Sequence, residues 1–220
     1  MMAALLLTAL AACGSNTQAE TKTQAAAATQ AETTAAQTAA VTQAETTAAQ
    51  TAAAAQAETK AAHSEVLVAY FSATGTTKGV AEKIAAVTGG DLYEILAAEP
   101  YTDSDLNYSD RSSRSTKEQN DKKARPAIGS EDLSLEGYKT LYLGFPIWWG
   151  EEPRILDTFV EKYSFEGITV IPFCTSGGSG IGRSGPNMEA LAGSGTWLEG
   201  KRFSASVTEA DLKTWIEGLK

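Results

Sequence analysis

The sequence of 220 residues predicts an α/β fold: a doubly wound sheet of five parallel strands with helices on both faces. Three observations carry this. Residues Val66–Phe71, Thr140–Pro146 and Ile168–Phe173 form nearly continuous apolar runs, as expected of strands buried on both faces. Helix-compatible segments separate them. Strand and helix patterns alternate through the last 158 residues.

Taken in order, the first run ends in the hydroxyl-rich loop Ser72–Thr77, and a helix is predicted from Lys78 to Val87, with Val80, Ile84 and Val87 on one stripe. Asp91–Ala97 reads as the second strand. The polar span from Tyr101 to Tyr138 is too long for a structureless loop, so a helix is expected near Ser113–Lys123. Arg154–Tyr163 places Ile155, Phe159 and Tyr163 at i, i+4 and i+8. Arg202–Val207 is a weaker fifth strand. Thr208 is a candidate N-cap for a final helix with Leu212, Trp215 and Leu219 on its apolar face.

The ends of the chain differ in kind. Residues 1–12 form an apolar segment of about a dozen residues, too short to span a bilayer and suited to an export signal. Its end, Leu10-Ala11-Ala12-Cys13, resembles the bacterial lipobox, although no Lys or Arg precedes the apolar run. That resemblance implies a lipid on Cys13 and a place at the extracytoplasmic face of the cell membrane. Residues 13–62 are almost wholly Ala, Thr, Gln and Glu, and TQAETTAAQTAA occurs at Thr29–Ala40 and again at Thr42–Ala53. The repeats have no large apolar residue to bury, so they read as a mobile stalk with a root-mean-square span of roughly 40 Å. Residues 63–220 are left for the folded domain.

The chain has a formal charge of −9, and the domain carries −7 of it, which argues against nucleic-acid binding. With Cys13 lipidated, Cys174 is the single remaining thiol. That excludes an intrachain disulfide and a cysteine-rich metal site. His63 reads as a linker residue, and Cys174 as a buried strand-end residue.

Ligands in such sheets bind beyond the carboxyl ends of the strands. Three loops meet there: Ser72–Thr77, Ile147–Glu152 and Thr175–Ser184. In the first, the hydroxyls of Ser72, Thr74, Thr76 and Thr77 and the amides of Ala73 and Gly75 can grip a phosphate at the start of a helix. The loop matches neither Walker A nor G-x-G-x-x-G. In the second, Pro146-Ile147-Trp148-Trp149-Gly150 sets two adjacent indoles at a strand end, one for the core and one for stacking on a flat ring. In the third, Thr175, Ser176, Gly177, Gly178 and Gly180 permit close backbone approach to a planar group.

Ser72-Ala73-Thr74-Gly75-Thr76-Thr77 resembles the phosphate loop of the flavodoxin family, and the resemblance extends over about residues 65–219. It implies the strand order 2-1-3-4-5 and noncovalent FMN, with the three loops holding phosphate, ring and pyrimidine edge. In that family a peptide carbonyl beside the ring can turn toward flavin N5–H, and Gly150 is the candidate here. The third loop lacks the tyrosine that small flavodoxins often place there, leaving one ring face open or covered by Ile181 alone. Three functions follow as expectations: electron transfer to a redox partner protein or small-molecule acceptor, NAD(P)H-dependent reduction of quinones or similar acceptors, or non-redox binding on a retained fold. Arg111 or Arg114 could orient an anionic substrate at the flavin edge. The acidic domain is expected to disfavour a negatively charged reduced flavin.

Overall fold

The structure is a computed structural model that describes residues 64–219. The export segment, Cys13, the repeat tract and His63 lie outside the described residues. The elements run β1 (Val66–Tyr70), α1 (Thr76–Thr88), β2 (Asp91–Glu94), α2 (Arg114–Asn120), β3 (Thr140–Pro146), α3 (Arg154–Lys162), β4 (Thr169–Thr175), α4 (Ser184–Ala192), β5 (Thr196–Trp197), β6 (Lys201–Phe203) and α5 (Glu209–Glu217). The sheet is parallel in the order β2-β1-β3-β4-β5, and β6 also pairs with β4. This is the expected doubly wound architecture.

Side-chain alternation along the strands builds two cores. Leu67, Ala69, Leu141, Leu143, Phe145 and Val170 face α3 and α4, packing on Ile155, Phe159 and Met188. Val68, Tyr70, Tyr142, Ile171 and Phe173 face the other way, onto Val80 and Ile84 of α1 and Leu212 and Trp215 of α5. Burial of both faces explains why these strands read as unbroken apolar runs. The predicted N-cap is present: Thr208 Oγ1 accepts from the Asp211 amide at 3.2 Å, and Asp211 Oδ2 accepts from the Thr208 amide at 3.3 Å.

The fifth strand differs from expectation. It is two pieces, β5 and β6, in place of Arg202–Val207. The Leu198 amide donates to the Val170 carbonyl at 2.9 Å, so Val170, and two residues on Pro172, turn their backbone polar groups toward this edge. Pro172 has no N–H to offer, and the edge strand breaks opposite it. Gly200 occupies the break; a Cβ there would lie 2.7 Å from the Pro172 carbonyl oxygen and 2.4 Å from Ile181 Cδ1. Val207 leaves the sheet and packs with α5.

The second strand is also shorter than expected. After β2 the chain pairs back on itself: Ala97 bridges Ile128 antiparallel, with Ala98 N to Ala127 O and Gly129 N to Leu96 O both at 2.8 Å. The helix expected near Ser113–Lys123 is α2, which buries Ser115, Thr116 and Gln119, a polar face.

Gly144 lies opposite Phe173 in the β3–β4 register, and a Cβ at Gly144 would sit 2.2 Å from the Phe173 ring. Gly144→Ala is therefore expected to lower stability by about 1–3 kcal/mol through overpacking. In urea unfolding, Phe173→Leu in the same chain should recover part of that loss; an undiminished midpoint for Gly144→Ala would refute the packing assignment.

Candidate functional site

The carboxyl ends of β1, β3 and β4 open onto a cleft of ≈ 620 Å³, within the range of small-molecule sites. Thr74 and Thr76 line it from the first loop, Pro146, Ile147 and Trp148 from the second, and Thr175, Ser176 and Gly177 from the third. Leu106, Tyr108, Arg202, Ser204 and Ala205 complete it, and none of these five was singled out as a site residue by sequence reasoning. A second groove, of ≈ 510 Å³, opens at the amino ends of the strands; no charged side chain lines it and none of the three loops reaches it.

The first loop turns from β1 into α1 at Gly75, which has φ 82 and no heavy atom within 4 Å of a Cβ position. Glycine takes this left-handed conformation without strain. No side chain caps the start of α1, so its first amides remain available to an anion. Thr74 and Thr76 are exposed at the loop tip, their hydroxyl oxygens 3.5 Å apart. Ser72 Oγ is buried with no hydrogen-bond partner in the structure. Ser72 and Ala73 lie to the β2 side, on a small apolar pocket of ≈ 200 Å³ with Leu96, Pro100 and Tyr101. Thr77 turns inward: its hydroxyl meets that of Thr175 at 2.8 Å, both residues buried, and ties the first loop to the third.

The second loop is a tight two-residue turn. Trp148 N donates to Glu151 O at 2.9 Å and Glu151 N returns to Trp148 O at 3.1 Å. Its central residues both have positive φ, 52 at Trp149 and 88 at Gly150, as in type I′ turns. Gly150 adopts this freely, whereas Trp149 is strained. The turn decides which indole goes where. Trp148 is 4% exposed and packs edge-on against Phe71 and Tyr101 at 5.4 and 5.0 Å. Trp149 is 50% exposed and meets Tyr108 edge-to-face at 5.4 Å. Trp149 and Gly150 therefore belong to the turn beside the cleft, outside its lining.

In the third loop, Ser176 and Gly177 reach the cleft, while Gly178 and Gly180 are exposed and lie off it. The Ser176 hydroxyl donates to the Ser179 carbonyl. Ile181 does not line the cleft: it packs on the Gly200 break. Tyr108, from the long span between β2 and β3, lines the cleft and meets Trp149. Arg114, weighed earlier as a substrate contact, is engaged elsewhere. It donates to Glu118 Oε1 at 2.7 Å and the Glu99 carbonyl at 2.8 Å, and stacks 4.0 Å over Tyr101. Arg111 is exposed and lines none of these cavities. Burial pushes the Cys174 thiol up to about 12, against the opposing pull of Arg202, so it stays protonated. Among the described residues, no group of three or more His, Cys, Asp or Glu is arranged to hold a metal ion.

A buried charge cluster lies behind the turn. Gln119 Nε2 donates to the carbonyls of Trp148 and Glu152, each at 3.0 Å. Arg154 donates to Glu151 at 2.7 Å and to Asp157 at 3.2 Å, and Arg125 stands 3.7 Å from Asp157. Burial raises the Glu152 carboxyl above its ordinary value, partly offset by Asn187 and Arg154. Burial, and then the neighbouring Glu152, push Asp157 up to about 6 against Arg154 and Arg125.

The profile of a family described as Flavodoxin matches residues 65–219. A structure from Bacteroides eggerthii DSM 20697, described as a candidate flavoprotein, is 46% identical over 70% of this chain and 96% of its own, with a TM-score of 0.66. Another of the same description from Bacteroides uniformis ATCC 8492 is 43% identical over 70% and 99%, with a TM-score of 0.67. A flavoprotein from Lactobacillus acidophilus NCFM, solved in complex with FMN, shares the fold at 21% identity over 69% and 97%, with a TM-score of 0.54. No curated protein matches.

The raised Asp157 gives a pH test. An unfolded chain ionises this carboxyl near 3.8, whereas the folded protein holds the proton to about 6. Its contribution to stability is thus full below the unfolded value and is lost as pH rises through about 6. Asp157→Asn cannot ionise and removes that slope. From about pH 4 to about pH 7 the variant should gain on the parent by up to about 3 kcal/mol, at about 1.4 kcal/mol per unit, in urea unfolding. A variant that instead loses ground toward pH 7 would show that the ion pair with Arg154 outweighs burial.

Proposed function

We propose that this chain, which belongs to the flavodoxin family, binds FMN noncovalently and transfers electrons, anchored outside the cytoplasmic membrane by a lipid on Cys13. The observation that carries the reading is the first loop. A buried, unpartnered Ser72 hydroxyl, two exposed threonine hydroxyls and an uncapped helix start stand together between β1 and α1 at the carboxyl edge of the sheet. These groups suit a phosphate dianion without a buried cation. The adjoining cleft, with one apolar wall at Ile147, Trp148 and Leu106 and a hydroxyl wall at Thr175, Ser176 and Ser204, suits a flat ring with a polar edge.

FMN, when bound, supplies the redox chemistry. The residues of this chain bind and orient it. Ser72, Thr74, Thr76 and the amides of Ala73, Gly75 and Thr77 hold the phosphate. Pro146, Ile147 and Trp148 flank the ring, with Trp149 and Gly150 in the turn beside it, where Gly150 has no Cβ to hinder a turn of its peptide. Thr175, Ser176 and Gly177 meet the pyrimidine edge, while Gly178 and Gly180 of the same loop stand outside the cleft.

Electron transfer to a redox partner or small acceptor is the main reading. A second reading, an NAD(P)H-dependent reductase of quinones or similar acceptors, is favoured by the open cleft mouth, where the third loop supplies no aromatic cover and Ile181 is turned away. Anaerobic titration separates them: reduction by NADH with steady turnover of a quinone marks the reductase, and inertness to NADH with exchange to a reduced partner marks the carrier. A colourless protein that ignores added FMN would refute both.

Ser72→Ala with Thr74→Ala should weaken FMN binding about a hundred-fold or more, two hydrogen bonds to a charged group contributing about 1.5–3 kcal/mol each. Riboflavin, lacking the phosphate, should be affected far less. Unchanged FMN affinity in a fluorescence titration would overturn the phosphate assignment.

A further inference from the structure

We propose that Arg202 sets the charge of the cleft, favouring the doubly reduced, negatively charged flavin over the oxidised one. The inference rests on the FMN reading above and deepens it by naming the residue that tunes the site.

The geometry is specific. Arg202 lies opposite Cys174 near the end of β4 and lines the cleft. It is the single charged side chain among the lining residues, and no carboxylate lines the cleft at all, although the domain as a whole is acidic. Its Nε donates to Ser176 Oγ at 3.0 Å and its Nη2 to the Ser176 carbonyl at 3.0 Å. A guanidinium stays charged at any working pH and holds a fixed fork. Among the described residues Arg202 has no ion pair, and Nη1 has no hydrogen-bond acceptor. The cation is thus fastened to the loop assigned to the pyrimidine edge, with donor capacity to spare.

The electrons balance as follows. Were FMN bound and served by a dihydronicotinamide-class donor, the donor's C–H bond would break and its hydride would become the N5–H of the ring. The added electron pair would leave one net negative charge shared over N1, C2 and O2. The oxidised ring is neutral. A fixed cation at that edge therefore stabilises the reduced ring more than the oxidised one and raises the two-electron potential. Arg202 is solvent-exposed and partly screened, so its effect rests on proximity: no carboxylate lines the cleft to oppose it there.

The full chain and its Arg202→Gln and Arg202→Lys variants are compared by anaerobic reduction against reference dyes, with separate titrations of oxidised FMN and riboflavin. Arg202→Gln should lower the affinity ratio of reduced to oxidised flavin at least about ten-fold, equivalent to about 30 mV for a two-electron couple. Arg202→Lys should keep a ratio close to that of the parent, and preference for FMN over riboflavin should not move. Equal losses in both oxidation states would make Arg202 a brace for the loop, and a loss for FMN but not riboflavin would make it a phosphate contact; either result overturns the proposal. A parent protein that takes up neither flavin would instead bring down the functional reading on which it stands.

Discussion

The hydrogen-bonded register of β1, β3 and β4 is the constraint on which the remainder depends. Tyr70, Gly144 and Phe173 lie abreast across the three strands, and Pro146 ends beside Thr175. With both faces buried, a slip of one residue would carry every apolar side chain to the wrong core. The Gly144–Phe173 contact allows no such slip. The same register ends three strands at one edge, so three loops distant in sequence share one mouth. The Thr77–Thr175 hydroxyl contact then joins the first of these loops to the third.

Behind the second loop the protein is polar where apolar packing might be expected. Gln119, Glu152, Arg154 and Asp157 are all buried. Desolvating such groups is unfavourable unless each finds partners. Here Arg154 is met by Glu151, Asp157 and the Gln119 carbonyl, and Asp157 moderates its charge by holding its proton more tightly. The result is a directional clamp: α2, which has no apolar face to bury, is held to the tryptophan turn by Gln119. An apolar contact would not fix the orientation of the Trp148 carbonyl in this way.

Much of this was legible in the chain. The inner strands announced themselves because burial on two faces removes polar alternation. The loop after β1 stood out through its hydroxyls and glycine, and Thr208 as a cap for the last helix; the reciprocal bond with Asp211 emerged only in the structure. The edge strand was misplaced because Phe203, Ala205 and Val207 alternate like a strand, whereas the break is dictated by Pro172 on the neighbouring one. Tyr108 and Leu106 were hidden in a polar span with no periodicity to mark them. The indoles of Trp148 and Trp149 could not be told apart in sequence, since a pair of positive φ angles decides which of them faces the core. Arg202 read as an ordinary strand residue because a lone cation gains meaning only from what surrounds it.

The interrupted fifth strand has a bearing on how copies of the protein behave near one another. A long, regular edge offers a row of free amides and carbonyls on which a second chain can template itself. Opposite Pro172 that row is broken by the missing N–H and by the gap between β5 and β6 at Gly200, and on the far margin β2 is only four residues long, the chain pairing back on itself just beyond it at Ala97–Ile128. Among the described residues one border of the sheet is interrupted and the other is short. Crowded molecules would thus be hindered from fusing sheet to sheet, and the irregularity that spoils the strand pattern doubles as protection against self-association.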